Sequence, residues 1–207
     1  MTLGRFPVFP LRNPCFPGHR IQLRIFEDRY VRMLRDIEDN PLFVISLISS
    51  GEETGAMATP YRVGTLAEFE DMERQGDFLI IRPKGRRRVY LETFDRESKP
   101  YLTAECTEYR DEAGDTGPAS GEAASTHDRL PELEAEILRM IAELGPEESR
   151  GIRDLLEGMR VEMDREEFSL FLCGCLHIPP IYLQRLLESR SLRNRTENAL
   201  GLLTPPR

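Results

Sequence analysis

FPVFPLRNPCFPGHRIQLRIFEDRY, Phe6–Tyr30, is the stretch whose reading decides the fold. Pro7, Pro10, Pro14 and Pro17 fall among apolar residues, and proline inside a helix removes a hydrogen bond and clashes with the preceding turn. The segment is therefore a set of short extended pieces joined by fixed turns. Val8, Phe9 and Leu11 read as a first strand. Pro17-Gly18 is a turn, because proline pre-sets φ and glycine accepts positive φ. Ile21, Leu23 and Ile25 alternate with Gln22 and Arg24, the period of a half-buried strand. From Phe26 the period changes: Phe26, Tyr30, Met33 and Ile37 fall on one face of a helix. Glu27 and Asp28 at its start and Arg32 and Arg35 further on match the helix dipole. Asn40-Pro41 ends it.

Outward from this stretch, the chain continues as closely spaced strands. Leu42–Ile48 is a short apolar run bounded by Pro41 and by SSGEETG, and reads as a buried strand. After a polar loop over 49–60, strand character returns at Val63–Glu70. ERQGD (Glu73–Asp77) reads as a turn into Phe78–Arg82, Pro83-Lys84-Gly85 as a turn into Arg86–Phe94, and Asp95–Pro100 as a turn into Tyr101–Tyr109. Such spacing predicts a small antiparallel barrel or curled sheet with one helix inserted near its start. Closure would also remove exposed strand edges.

At Arg110 the composition shifts. DEAGDTGPASGEAASTHD has no apolar period and too little to bury against the entropy of ordering it, so 110–128 is expected to be a flexible linker or loop. The rest reads as helices. Leu130, Leu133, Ile137, Met140, Ile141 and Leu144 form one stripe, and Ile152, Leu155, Leu156 and Met159 a second. Asp164 with Glu167 is a capping box, opening a helix through Phe168, Phe171, Leu172 and Leu176. Pro179-Pro180 starts another through Leu183, Leu186 and Leu187, and a last helix covers Arg193–Leu203.

With 207 residues, 40% of them hydrophobic and 31% charged, the chain has the composition of a globular protein able to bury a core. Its formal net charge of −8 argues against a general nucleic-acid or anionic-membrane binder. No run approaches the roughly 20 apolar residues that span a bilayer, and the first residues lack the apolar core of a signal peptide. A cytoplasmic location is expected. The four cysteines, Cys15, Cys106, Cys173 and Cys175, read as free thiols.

Few features invite chemistry. No GxxxxGK[ST] phosphate loop occurs, and the acidic GEETG would repel phosphate. Cys173-Gly-Cys175-Leu-His177 is the most metal-like cluster, with Cys15 and His19 as conceivable further ligands. Its cysteines, however, lie two apart in a helix and point to different faces. No GxSxG elbow accompanies the three histidines, of which His127 falls in the linker. Neither catalytic residues nor a metal or cofactor are expected. Arg86, Arg87 and Arg88 form the one basic cluster, able either to contact phosphates or to pair with nearby Glu92, Asp95 or Glu97. No aromatics interleave with them for base stacking. Arg12, Arg24, Glu27 and Arg29 are charges in an otherwise apolar segment, suited to line a binding groove or to fix turns by pairing with one another.

The order of pieces in FPLRNPCFPGHRIQLRIFEDRY, followed by PLFVISLI, VGTLAEFEDMERQGDFLIIRPKGRRRVYL and IPPIYLQRLLESRSLRNRTENALGLL, resembles the Lon substrate-binding domain, the N-terminal domain of ATP-dependent Lon proteases, which also occurs alone in small bacterial proteins. The resemblance runs almost end to end, interrupted mainly near 110–128. It implies an α+β fold: a β-rich PUA-like pseudobarrel over 1–109, then a C-terminal α-helical bundle over 129–207. It also implies a non-catalytic module that binds exposed apolar segments of unfolded or damaged polypeptides, in protein quality control, with a full-length Lon or another protease as a possible partner. Full-length Lon proteases carry their ATPase and Ser–Lys peptidase modules after this domain, so neither activity is expected here. PUA domains proper bind RNA, which makes RNA binding through the basic hairpin the rival reading. An enzyme built on the Cys/His cluster is a more distant third.

Overall fold

The computed structural model describes residues 1–55, 57–112, 129–143 and 146–203. It divides into two compact units, Met1–Tyr109 and Arg110–Arg207. Most of the expected linker, 113–128, lies outside the described residues.

In the first unit, strands β1 (Thr2–Leu11), β3 (Leu42–Ser50), β5 (Val63–Glu68), β8 (Lys84–Asp95) and β9 (Thr103–Glu108) form a sheet in the order β1-β9-β8-β5-β3. A short β4 (Thr59–Pro60) extends it at β3. The sheet closes because β3 pairs back onto β1, and that pair is parallel, Val8 opposite Val44 through Leu11 opposite Leu47. Closed barrels leave no edges among their staves. β1 divides its partners along its length: Thr2–Pro7 pair with β9 and Val8–Leu11 with β3. Val8 N–H donates to the Leu102 carbonyl at 2.8 Å, so the alternating ladder turns the neighbouring Pro7 nitrogen away from β9 and a proline can stand there.

Burial along β1 is continuous from Pro7 to Leu11 because both faces are covered. Val8, Val44, Leu66, Val89, Leu91, Leu102, Ala104 and Cys106 fill the barrel interior, with contributions from all five staves. Phe9, Leu11, Phe43 and Ile45 point outward into a second cluster with Leu23, Ile25, Tyr30, Met33, Leu34 and Ile81. The second cluster is built by the crossover between β1 and β3. The crossover holds β2 (Leu23–Ile25) and helix α1 (Asp28–Asp36). β2 joins β7 (Phe78–Ile81) and β6 (Met72–Gln75) in a separate sheet of order β2-β7-β6.

The structure corrects the expected elements at several places: the β1–β3 pair is parallel rather than antiparallel, and Lys84 and Gly85 belong to strand β8 rather than to a turn. Helix α1 begins at Asp28, and Phe26 lies outside it, 54% exposed, with its ring edge-on to Phe78 at 6.5 Å. The apolar face of the helix is Tyr30, Met33 and Leu34. Glu73–Gln75 belong to strand β6, so the turn is confined to Gly76-Asp77, where Gly76 takes φ +60°.

The loop before β2 is clasped to the barrel. Thr65 Oγ1 donates to the Cys15 carbonyl at 2.6 Å. Gly85 N–H donates to the His19 carbonyl and Gly18 N–H to the Gly85 carbonyl, both at 2.9 Å. A Cβ on Gly85 would stand 2.3 Å from the Phe16 carbonyl oxygen, a contact no atom can make.

The second unit contains α2 (Leu130–Ile141), α3 (Pro146–Glu162), α4 (Arg165–Gly174), α5 (Pro180–Glu188) and α6 (Leu192–Leu203). The capping box forms as read: Asp164 accepts from the Glu167 N–H at 2.9 Å, and the Glu167 side chain accepts from the Asp164 N–H. In the α3 stripe Leu156 is buried, but Leu155 is 51% exposed. This unit begins earlier than the composition shows. Asp111 lies in a fully buried ion pair with Arg195 of α6, at 2.6 and 2.9 Å. Arg195 also donates to Ser169 Oγ of α4 and to the Ser189 carbonyl, each at 2.9 Å. One guanidinium therefore ties the chain's entry to α4, α6 and the turn between α5 and α6.

Two stability outcomes follow from these contacts. Gly85→Ala is expected to cost about 1–3 kcal/mol or more, since the obstacle is backbone rather than a movable side-chain end. Asp111→Ala, which leaves a buried arginine uncompensated, is expected to cost about 3–5 kcal/mol. Urea unfolding monitored by circular dichroism checks both; an unchanged midpoint would refute the corresponding assignment.

Candidate functional site

A cleft of about 290 Å³ opens beside β2. One wall is the unbroken run Gln22–Glu27. Consecutive residues of an extended chain point to opposite faces, so a cavity touching six in a row touches the strand along its edge. β2 is indeed an edge strand of its sheet. Phe9 and Leu11 of β1, two apart and so on one face, form the opposite side with Tyr30 of α1; Glu53 and Thr54 complete it. Phe9 and Tyr30 pack ring against ring at 4.2 Å. The exposed Phe26 lines the cleft as well.

Charges around the cleft are matched locally. Glu27 accepts from Arg29 and from the Gly55 N–H, each at 3.0 Å. Arg12 pairs with Glu52 and lies 3.6 Å from Glu53. The Arg29 guanidinium sits 4.6 Å over Tyr30, and that of Arg24 sits 4.2 Å over Phe78. Burial pushes the Tyr30 phenol up to about 12, with Arg29 opposing the rise. It is therefore neutral in ordinary solution, and offers an apolar face rather than a base. Thus Arg12, Arg24, Glu27 and Arg29 gather around one concavity, two of them lining it and two neutralising residues that do.

Arg86, Arg87 and Arg88 do not form a patch. Arg86 bonds Glu68 at 2.6 Å, and Arg87 lies 3.5 Å from Glu108. Arg88 is 2% exposed, with its guanidinium 5.4 Å over Tyr109. Their partners come from the neighbouring strands β5 and β9 and from Tyr109, not from Glu92, Asp95 or Glu97. Strand alternation sends successive arginines to opposite faces, which a linear reading of the run does not weigh.

All four cysteines are free. Cys173 is buried near the end of α4, and Cys175, its C-cap, donates to the Phe171 carbonyl at 3.5 Å. Among the described residues no three His, Cys, Asp or Glu side chains come together as a metal site requires. A second concavity, about 390 Å³, lies between α5 and α6 and includes Tyr182, Leu186, Arg185 and Glu197. Sequence reasoning missed Phe9, Leu11, Tyr30 and Phe26 as cleft residues, because apolar periodicity marks them only as core.

The closed barrel, its helix-bearing crossover and the following helices define an α+β protein with a PUA-like pseudobarrel and a C-terminal helical unit. The family model described as the ATP-dependent protease La (LON) substrate-binding domain matches residues 5–205, and the chain belongs to that family. Among solved structures it resembles a Lon N-terminal domain protein from Xanthomonas campestris, at 23% identity and a TM-score of 0.63, covering 96% of this chain and 98% of that one. It also resembles the N-terminal domain of a Mycobacterium avium complex Lon protease, at 15% identity and a TM-score of 0.64, covering 95% and 96%. At these identities the likeness is one of fold. No curated protein matches the chain.

Burial raises the thiols of Cys15 and Cys106 to about 12 and that of Cys175 to about 11. A thiol reacts as thiolate, so groups raised this far above the solution pH stay protonated and slow. Titration with Ellman's reagent at pH 8 is expected to be slow on the native protein, with half-buried Cys175 first, and complete for all four only after denaturation. Immediate reaction of Cys15 or Cys106 would contradict this packing.

Proposed function

We propose that this chain is a non-catalytic polypeptide-binding module that takes up exposed apolar segments of unfolded or damaged proteins through the cleft beside β2. The carrying observation is the cleft itself: apolar side chains from β1, β2 and α1 line it, and its carboxylates Glu27 and Glu53 each have an arginine beside them. Membership of the Lon substrate-binding family supports the same reading. Arg12, Arg24, Glu27 and Arg29 then act as framing residues. They hold the rim and discourage charged occupants, rather than forming ionic contacts with the client. The setting that fits is cytoplasmic protein quality control, beside a full-length Lon or another protease. Among the described residues no helix is long and apolar enough to cross a membrane.

The rival, RNA binding through Arg86, Arg87 and Arg88, is disfavoured by their geometry. Two are matched to carboxylates and the third is buried, so little positive charge is left to release counterions from a phosphate backbone.

Each Leu- or Phe-sized anchor contributes about 1.5–3 kcal/mol, offset by ordering of the client. Two or three anchors then give micromolar or weaker affinity. Fluorescence anisotropy with an apolar-rich labelled peptide, at low and high salt, is expected to show such binding with little salt dependence. Phe26→Ala should weaken it roughly tenfold, in line with the loss of one half-exposed anchor. The same preparation should neither hydrolyse ATP nor cleave casein. A salt-sensitive RNA complex without peptide binding would overturn this function.

A further inference from the structure

We propose that the client enters this cleft as an added β-strand on the open edge of β2, bonded through its main chain to Gln22 and Arg24. This rests on the polypeptide-binding reading above and specifies how that polypeptide is recognised.

The register decides which groups are available. Ile21 N–H donates to the Pro83 carbonyl at 3.1 Å, and Gly85 N–H donates to the His19 carbonyl at 2.9 Å. Leu23 opposite Ile81 and Ile25 opposite Leu79 continue the same antiparallel alignment. In such a ladder, residues that exchange hydrogen bonds with the partner strand alternate with residues whose N–H and C=O point the other way. Ile21, Leu23 and Ile25 therefore face β7 and its continuation, whereas Gln22 and Arg24 direct their N–H and C=O away from it, toward the cleft. Both residues are exposed, and among the described residues their main-chain groups make no hydrogen bond outside the ladder, whose alternation turns them away from β7.

Alternating donors and acceptors repeating every two residues, about 6.8 Å, are the complement of another extended polypeptide. Charge complementarity selects an uncharged one. Glu27 is matched by Arg29, and Arg12 is shared between Glu52 and Glu53, so no carboxylate of the cleft stands without a cation beside it. The Arg24 guanidinium packs over the Phe78 ring at 4.2 Å. A client residue facing Arg24 places its two neighbours opposite Leu23 and Ile25, on the face that packs with Phe9, Leu11 and Tyr30. The recognised pattern is apolar–any–apolar in extended conformation, not the three- and four-residue spacing of an amphipathic helix.

The test is an N-methyl scan. A fluorescein-labelled nonapeptide with Leu and Phe at alternating positions in a Ser/Gln background is titrated against the full chain, then each single N-methyl analogue in turn. N-methylation deletes one N–H and leaves the side chains intact. The expected result is a period of two: about tenfold weakening at alternate positions and little change between them. Arg24→Pro and Arg24→Ala lose the same side chain, but only the proline also deletes the N–H facing away from β7, so Arg24→Pro should bind the parent peptide about tenfold more weakly than Arg24→Ala. A flat methylation profile with binding retained overturns strand addition and leaves the polypeptide reading intact. Failure of every peptide to bind overturns both. Dimerisation abolished by Arg24→Pro and not competed by peptide assigns the edge to a second copy of this chain, and overturns the proposal.

Discussion

The parallel pairing of β1 with β3 is the constraint on which the first unit depends. Antiparallel neighbours can be joined by a two-residue turn, but a parallel pair requires the chain to travel back over the sheet. Here that return occupies the residues between Leu11 and Leu42, and its length is put to use. Leu23, Ile25, Tyr30, Met33 and Leu34 cover the outer face of the seam, where Phe9, Phe43 and Ile45 would otherwise meet water. At about 1.5–3 kcal/mol for each large side chain removed from water, the crossover contributes as much to the seam as its hydrogen bonds do. The cleft is a by-product of the same geometry. β2 is held over β1 by packing while its ladder runs to β7, so the space between β2 and β1 is walled by both without being closed by either.

Fixing the crossover demands close approach at its start. The Pro14–His19 turn lies against β8 so tightly that Gly85 has no room for a methyl group, and Thr65 reaches from β5 to hold the Cys15 carbonyl. These contacts set where β2 begins. They also explain why a buried thiol sits there, since Cys15 fills a small apolar space beneath the turn. Its chemistry is suppressed by the same burial that makes it a good packing residue.

How much of this was legible in the sequence varies with the range of the interaction concerned. The proline spacing and the period change after Ile25 identify strand, turn, strand and helix, because those signals are local. The capping box at Asp164 is legible for the same reason: both partners lie within one turn of helix. Phe26 keeps the helical period with Tyr30 but lies before the N-cap Glu27 and packs on Phe78, a contact periodicity does not carry. The parallel seam was invisible, since pairing direction depends on residues more than thirty apart. The partners of the arginine run are hidden for a related reason. Sequence neighbours suggested Glu92, Asp95 and Glu97, but a strand's neighbours are across the ladder, at Glu68 and Glu108. Asp111 looked like one acid in a low-complexity stretch, and only the fold supplies Arg195 to it. Of the site, the charged frame around β2 was legible as unusual charges in an apolar segment, whereas the apolar lining was indistinguishable from core.

An exposed strand edge is ordinarily a hazard, because it templates pairing with any unfolded chain. β2 has features that limit that hazard without removing the edge. It is only three residues long, and its central side chain is the exposed Arg24. Helix α1 begins three residues beyond it, so pairing has no room to propagate in that direction. If a client adds to this edge as proposed, weak and reversible attachment follows from shortness, since two residues present outward main-chain groups. Those are the properties a transient polypeptide receptor needs. It must engage many sequences through the backbone they share, distinguish folded from unfolded chains by requiring extension and exposed apolar residues, and release its client before a lasting sheet forms. A longer β2 would bind more tightly and discriminate less, because added backbone hydrogen bonds reward any extended chain equally. On the proposed strand addition, a short strand leaves the apolar lining to decide what stays.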